Sequence, residues 1–303
     1  MIKVEKIAHW TGHQGAVFAL EGKKEASKII SGGGDGWVVE WDLSKPNLAG
    51  KLIAKVETSI YAVLKMPEQP RLVVGNRNGG VHWIDLENSL LTKNISFQKK
   101  AIFGIQLFDN QLFTIDGSGY LSRWEIAKSR AIESIQLSHS ALRSLAFAPL
   151  KEEMAIGASD GNIYILNAKN FELKKIIAPA HDNSVFTLQY SADETKLLSG
   201  GRDAHIKAWN VTKNYELIST QPAHWFTVNS LVFHPSQPFF ATASRDKTIK
   251  IWDAASCQLL KVIDTSRNGC HARSVNILYW SGYKNLLVSG SDDATLMVWE
   301  IDF

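Results

Sequence analysis

"SRDKTIKIWD", Ser244–Asp253, closes a segment that begins at His224 and passes Thr242. A histidine, a hydroxyl, a carboxylate (Asp246) and an indole (Trp252) therefore fall within one short stretch, a set that suits either a hydrolase or a brace. The stretch is not unique. Seven versions of it run along the chain: GGGDGWVVEWD, GNRNGGVHWID, TIDGSGYLSRWE, GASDGNIYILN, GGRDAHIKAWN, ASRDKTIKIWD and GSDDATLMVWE. The position of Trp252 recurs at Trp41, Ile84, Trp124, Leu166, Trp209 and Trp299, with spacings of 43, 40, 42, 43, 43 and 47 residues. A period of this size signals a repeat architecture, in which each unit buries its faces only by stacking on its neighbours.

Repetition decides between catalyst and brace, because catalysis needs one such site and a brace between strands is wanted in every unit. Four copies carry the whole set: His13, Ser31, Asp35 and Trp41; His181, Ser199, Asp203 and Trp209; His224, Thr242, Asp246 and Trp252; His271, Ser289, Asp293 and Trp299. An indole N–H only donates and a carboxylate only accepts, while hydroxyl and imidazole do both. A chain from Trp to Ser or Thr to His to Asp satisfies every member, so these sixteen residues are read as structural tetrads and none as catalytic. The second copy has Val56, Val74, Asn78 and Ile84 at these positions, an exchange to mostly apolar groups that orphans no buried partner. The third keeps Thr114 and Trp124 beside Gln98 and Ser118; the fourth keeps Asp160 beside Ile156 and Leu166, with His139 one residue out of register. Units two to four are expected to be less rigidly fastened.

Within each copy, short apolar or alternating runs such as "VFTLQY", "KLLSGG", "HIKAWN" and "YELIST" are separated by turn residues, which predicts four strands per unit. No window holds an apolar stripe of helical period, so helices are expected to be nearly absent. Gly32-Gly33-Gly34-Asp35-Gly36 is read as a β-turn rather than a phosphate loop, because no crossover helix follows it. Several four-stranded sheets arranged around a channel cover one another's faces and leave only short edges.

The period, the Gly12-His13 pair and the Trp41-Asp42 and Trp252-Asp253 dipeptides make the whole chain resemble the WD-repeat β-propeller family. The resemblance implies an all-β fold: one domain over residues 1–303, a seven-bladed propeller of four-stranded antiparallel blades. The last copy stops directly after its third strand, while Ile2–Ala8, "IKVEKIA", is similar to the fourth-strand segments "KLIAKVE" and "LLKVIDT". The ring is therefore expected to close by the N-terminal strand pairing with the C-terminal blade.

At 303 residues the chain can bury roughly three quarters of its unfolded surface without disulfides or metals. Two cysteines, Cys257 and Cys270, make no framework and no Cys-x-x-Cys pair, which points to a reducing compartment and to the cytoplasm. Cys270-His271 has no second ligand pair near it, so no metal and no cofactor is expected. The opening "MIKVEKI" does not read as a secretory signal, and no segment approaches a membrane span. A net charge of +3, from 33 basic and 30 acidic residues, is too balanced to indicate nucleic acid or membrane by itself.

The resemblance also implies where partners dock, namely the face bearing the histidine loops, around the channel mouth. The residue after each histidine-spaced valine or its counterpart reads Phe18, Tyr61, Phe103, Arg143, Phe186, Asn229 and Asn276; the one before each turn carboxylate or its equivalent reads Gly34, Arg77, Gly117, Ser159, Arg202, Arg245 and Asp292. Aromatic and arginine side chains are the types enriched at binding hot spots. Phe18, Tyr61, Arg77, Phe103, Arg143, Phe186, Arg202, Arg245 and Asp292 are therefore the candidate partner-binding residues, with the aromatics and arginines facing one another across the mouth. The expected function is a non-catalytic platform, a monomeric propeller within a larger complex, that takes an acidic or phosphorylated peptide or a folded partner. The alternative is polyanion binding, to nucleic acid or phospholipid headgroups, by the same arginines, ranked lower because no lysine-rich tail accompanies them. An enzymatic or small-molecule site in the channel would need converging titratable groups, which Asp292 alone does not supply.

Overall fold

A computed structural model describes residues 2–23, 25–67 and 69–303. Seven four-stranded antiparallel sheets follow one another. Blade one is typical, with Val17–Gly22 innermost, then Lys28–Gly33, Trp37–Asp42 and, outermost, Lys51–Lys55. The inner strands of the other blades are Ile60–Lys65, Ile102–Phe108, Leu142–Ala148, Val185–Tyr190, Val228–Phe233 and Val275–Trp280. Among the described residues, helix is confined to one four-residue α-turn, Thr265–Asn268, and four short 3-10 segments, as the lack of a helical stripe predicts.

Blade seven is assembled from both ends of the chain. Its outermost strand is Lys3–Thr11, paired antiparallel with Thr295–Asp302 in a register that sets Lys3 opposite Asp302 and Thr11 opposite Thr295. The closure expected from the similarity of segment 2–8 to fourth strands is present, and the strand runs three residues further than that segment.

Packing between blades explains the pattern of small and branched residues. Seven clusters of buried side chains each join two adjacent blades; Trp10, Val17, Trp41, Val288 and Leu296, for example, lie together where blade seven meets blade one. The close approach rests on glycine. A Cβ at Gly32 would stand 2.6 Å from Ile60 Cγ2 of the next blade, and one at Gly290 would stand 2.7 Å from Val17 Cγ1 across the closure. Burying a Val, Ile or Leu side chain stabilises by about 1.5–3 kcal/mol, and each inner strand begins with one that is fully buried: Val17, Ile60, Ile102, Leu142, Val185, Val228 and Val275.

The turn read at Gly33–Gly36 is present: the Gly36 N–H donates to Gly33 O at 3.1 Å, and Gly36 has φ +73°. A Cβ there would meet Val56 O at 2.3 Å, so blade one has no room for another residue at this point.

Candidate functional site

The four tetrads form as hydrogen-bonded chains. In blade six Trp252 Nε1 donates to Thr242 Oγ1 at 2.8 Å, His224 Nε2 lies 2.8 Å from the same hydroxyl, and His224 Nδ1 lies 2.9 Å from Asp246. The corresponding histidine contacts run to Ser31 and Asp35 (2.7 and 3.0 Å), Ser199 and Asp203 (2.8 and 3.0 Å), and Ser289 and Asp293 (2.8 and 3.0 Å). All four hydroxyl-bearing residues are wholly buried. Burial lowers the pKa of His13 and His224 against the opposing pull of Asp35 and Asp246, so the imidazoles stay neutral. Burial pushes the carboxylates upward, but bonds from the histidines and from backbone N–H groups outweigh it: Asp203 falls to about 2, and Asp246 and Asp293 are lowered likewise. A hydroxyl shielded from solvent and already engaged by an indole and an imidazole makes a brace with no reactive end.

Blades two to four are fastened differently from the sequence reading. Blade two keeps apolar Val56, Val74 and Ile84 at the tetrad positions but is not without polar fastening. A separate network sits two residues away, in which Asn76 Nδ2 donates to Glu57 at 2.7 Å and lies 2.9 Å from His82 Nε2, while His82 Nδ1 lies 2.9 Å from Asn94. In blade three Trp124 Nε1 keeps its bond to Thr114 at 3.0 Å, and buried Asp116 takes over the turn by accepting from the Ser118 N–H at 2.6 Å. In blade four Asp160 accepts from Ser138 at 2.6 Å and from Tyr164 at 2.7 Å. Aligning only the tetrad columns hid these substitutes, because they use other positions of the same turn.

The channel mouth is built by one recurring irregularity. In every inner strand the pairing with the second strand slips by one residue, and the unpaired residue is Phe18, Tyr61, Phe103, Arg143, Phe186, Asn229 or Asn276. A β-bulge re-aims the side chain at the slip. Here it places all seven at the mouth, each half-buried.

These side chains do not face one another across the opening as expected; they pack along the rim, because consecutive inner strands are immediate neighbours. Phe18 and Tyr61 have ring centroids 5.0 Å apart, Tyr61 and Phe103 5.4 Å. The Arg143 guanidinium then sits 4.2 Å from the Phe103 centroid and 5.4 Å from that of Phe186. Arg143 Nε donates to Ser159 Oγ at 3.0 Å. Burial lowers its pKa, Tyr61 opposes the shift and the like charge of Arg202 adds to it.

The far side of the mouth is amide and carboxylate. Asn229 Nδ2 donates to Val275 O at 2.9 Å, and Asn276 Nδ2 donates to Asp292 at 2.7 Å. Arg77, Arg202, Arg245 and Asp292 are exposed on the second-to-third-strand turns. Beneath the mouth runs a cavity of about 920 Å³. A shallower hollow of about 390 Å³ opens between blades three and four, lined among others by Lys100, Phe103, His139, Arg143 and Ser159. His139, out of register for a tetrad, is exposed there.

Sequence reasoning missed two further features. Glu21 lines the channel, and burial pushes its carboxyl up to about 8. Trp225 and Phe226, in the histidine loop of blade six, are 86% and 57% exposed; their departure from the polar or small residues of the other tetrad loops was the available signal. Among the described residues no group of His, Cys, Asp and Glu could hold a metal ion, and no helix is long and apolar enough to cross a membrane.

A closed ring of seven blades, braced by buried tetrads and open at a lined mouth, defines a repeat propeller, and comparison with known proteins places its repeats. Residues 172–210, 215–253 and 261–300 match the model of the WD domain, G-beta repeat; these are three of the four copies with complete tetrads. Three of its repeats thus match the WD repeat, and the chain folds as a seven-bladed β-propeller. It is 21% identical over 299 residues to Protein tipD of Dictyostelium discoideum, covering 96% of this chain and 48% of that one. Transducin beta-like protein 3 of Rattus norvegicus is 24% identical over 331 residues (97% and 40%), and Nuclear distribution protein nudF of Aspergillus niger 29% over 181 residues (59% and 39%). The chain thus spans less than half the length of these relatives. In structure it is similar to the WD40 β-propeller domain of Doa1, with TM-score 0.85, 16% identity and coverage of 99% of this chain and 97% of that one.

Proposed function

We propose that this protein is a non-catalytic interaction platform, the general role of WD-repeat propellers, and that its mouth takes an acidic or phosphorylated segment of a protein partner. The observation that carries this reading is the continuous rim from Phe18 through Tyr61, Phe103 and Arg143 to Phe186, half-exposed and in mutual contact. Packing against one another fixes these side chains before a partner arrives, which reduces the ordering cost of binding. Ser159 engages only Nε of Arg143, leaving the terminal nitrogens as a fork for a carboxylate or phosphate. Lys100 and His139 line the hollow beside it, and Arg202 adds charge. A carboxylate about 4 Å from one guanidinium gains roughly 1 kcal/mol in water and roughly 4 kcal/mol at the effective dielectric of a partly covered site. Cys257 and Cys270, free and buried, accord with a reducing compartment, and the cytoplasm is the one we propose.

The test is recovery of partners by affinity purification at low and high salt. Changing Arg202 and Arg245 together to Glu should abolish recovery of acidic partners with melting nearly unchanged, since exposed charges contribute little to folding. Phe186→Ala should weaken recovery with much less salt dependence. If both variants recover what the wild type does, the mouth is not the site. If an oligonucleotide displaces the partner as well as an acidic peptide does, polyanion binding replaces this reading.

A further inference from the structure

Four loops of this protein solve the same local problem, and only one of them carries two large aromatics. After the tetrad histidine the chain reads Gln14-Gly15, Asp182-Asn183, Trp225-Phe226 and Ala272-Arg273. In all four the first of these residues donates its backbone N–H to the tetrad carboxylate, at 2.8, 3.2, 3.1 and 3.2 Å. The loop therefore needs a backbone donor and no particular side chain. At blade six an indole and a phenyl nonetheless stand in solvent, Trp225 86% exposed and Phe226 57%. Exposed aromatics that the fold does not use are a mark of an interaction surface.

The loop is held firmly. Besides the Trp225 N–H bond to Asp246, Phe226 O accepts from Ser244 Oγ at 3.2 Å, and Arg245 N donates to Thr227 O at 3.2 Å. The turn beside it supplies accessible cations. The Arg245 guanidinium lies 6.0 Å from the Phe226 centroid and Lys247 is exposed, while Asp246 between them is turned inward to His224 with its side chain 5% exposed. The wedge thus presents an apolar pair flanked by positive charge, with the intervening negative charge spent inside.

We infer that Trp225 and Phe226 anchor a second docking site, for a short segment of a partner protein that pairs an aliphatic or aromatic side chain with aspartate or glutamate. The apolar residue packs on the two rings, and the carboxylate meets Arg245 and Lys247. A membrane surface fits less well, because exposed Asp182 and Asp292 on the neighbouring blades would meet anionic headgroups on the same face. The inference shares Arg245 with the mouth reading but is separable from it, since its rings belong to the loop and not to the rim.

The experiment selects displayed short random peptides on the full chain, with counter-selection on W225S/F226S, a variant whose melting and circular dichroism should match the wild type because both side chains are exposed. Enriched sequences should combine apolar and acidic residues. A synthetic peptide of that sequence should lose roughly tenfold or more in affinity for W225S/F226S, while F18A/F103A, which alters only the mouth, should bind it as the wild type does. The inference is overturned if no such sequence is enriched, or if the peptide binds W225S/F226S as tightly as the wild type. It is equally overturned if F18A/F103A alone loses binding, which would leave the mouth reading intact. Sedimentation of the wild type but not W225S/F226S with phosphatidylserine vesicles would replace it with a membrane contact. Self-association abolished by the same variant would replace it with a dimer.

Discussion

The Arg143 guanidinium lies 4.2 Å from the centroid of Phe103, the residue at the equivalent bulge one blade earlier. With the Phe186 contact at 5.4 Å, it keeps the aromatic arc of the mouth continuous through Arg143. A largely desolvated cation–π contact contributes about 1–2 kcal/mol. Arg143→Ala should therefore lower unfolding free energy by about that amount, measured by urea titration. Arg143→Lys should restore little of it, because an ammonium neither stacks as a plane nor keeps the Nε bond to Ser159. Full rescue by lysine would show that charge alone matters there.

The tetrads predict a stability effect without a chemical one. Thr242→Val keeps the shape but removes the hydroxyl shared by Trp252 and His224. Leaving those buried groups unpaired should cost about 1–3 kcal/mol, read as a lower denaturation midpoint. A fluorophosphonate probe should label none of Ser31, Ser199 or Ser289 in the folded protein; labelling of any one would contradict the brace.

Acid should loosen the same tetrads. Asp203 is depressed to about 2, Asp246 and Asp293 are depressed too, and His13 and His224 lie below the usual histidine value of 6.5. In each case the unfolded chain binds the proton more readily, so stability falls as pH falls. The histidine part is lost on descending from about pH 6.5, the carboxylate part from about pH 4 towards 2. Melting temperature should decline through both windows, and substituting His13 and His224 by Asn should reduce the first decline.

Glu21 acts in the opposite sense. Its carboxyl is pushed up to about 8 by burial, so the folded state holds a proton that the unfolded state releases near 4.5. Its contribution is fully present below about 4.5 and lost as pH rises through 8. Glu21→Gln should raise the melting temperature more at pH 8.5 than at pH 5, and an equal shift at both would show that the carboxyl titrates normally.

Deleting residues 1–9 should leave most of the strand Thr295–Asp302 without its outer partner. An uncovered edge of this kind invites pairing between molecules. The truncated chain should melt lower and scatter light at concentrations where the wild type stays clear. Unchanged melting and solubility would remove the closure from the list of what holds the ring.

Periodicity made the propeller legible. Spacings near 43 residues, the four recurring tetrads and the similarity of segment 2–8 to fourth strands determined the blade count, the brace partners and the closure, because each depends on residues that recur at fixed offsets. The sequence also determined which residue of each inner strand stands at the mouth, since one position within the repeat marks it. It could not say that Phe18, Tyr61, Phe103, Arg143 and Phe186 lean on one another rather than face across the opening. That depends on the bulge direction and the distance between neighbouring blades, which bring together residues about 40 positions apart. The substitute network of Glu57, Asn76, His82 and Asn94 and the exposure of Trp225 were likewise decided only in three dimensions. Hydrogen-bond partners and solvent access belong to the packed ring and to no single repeat.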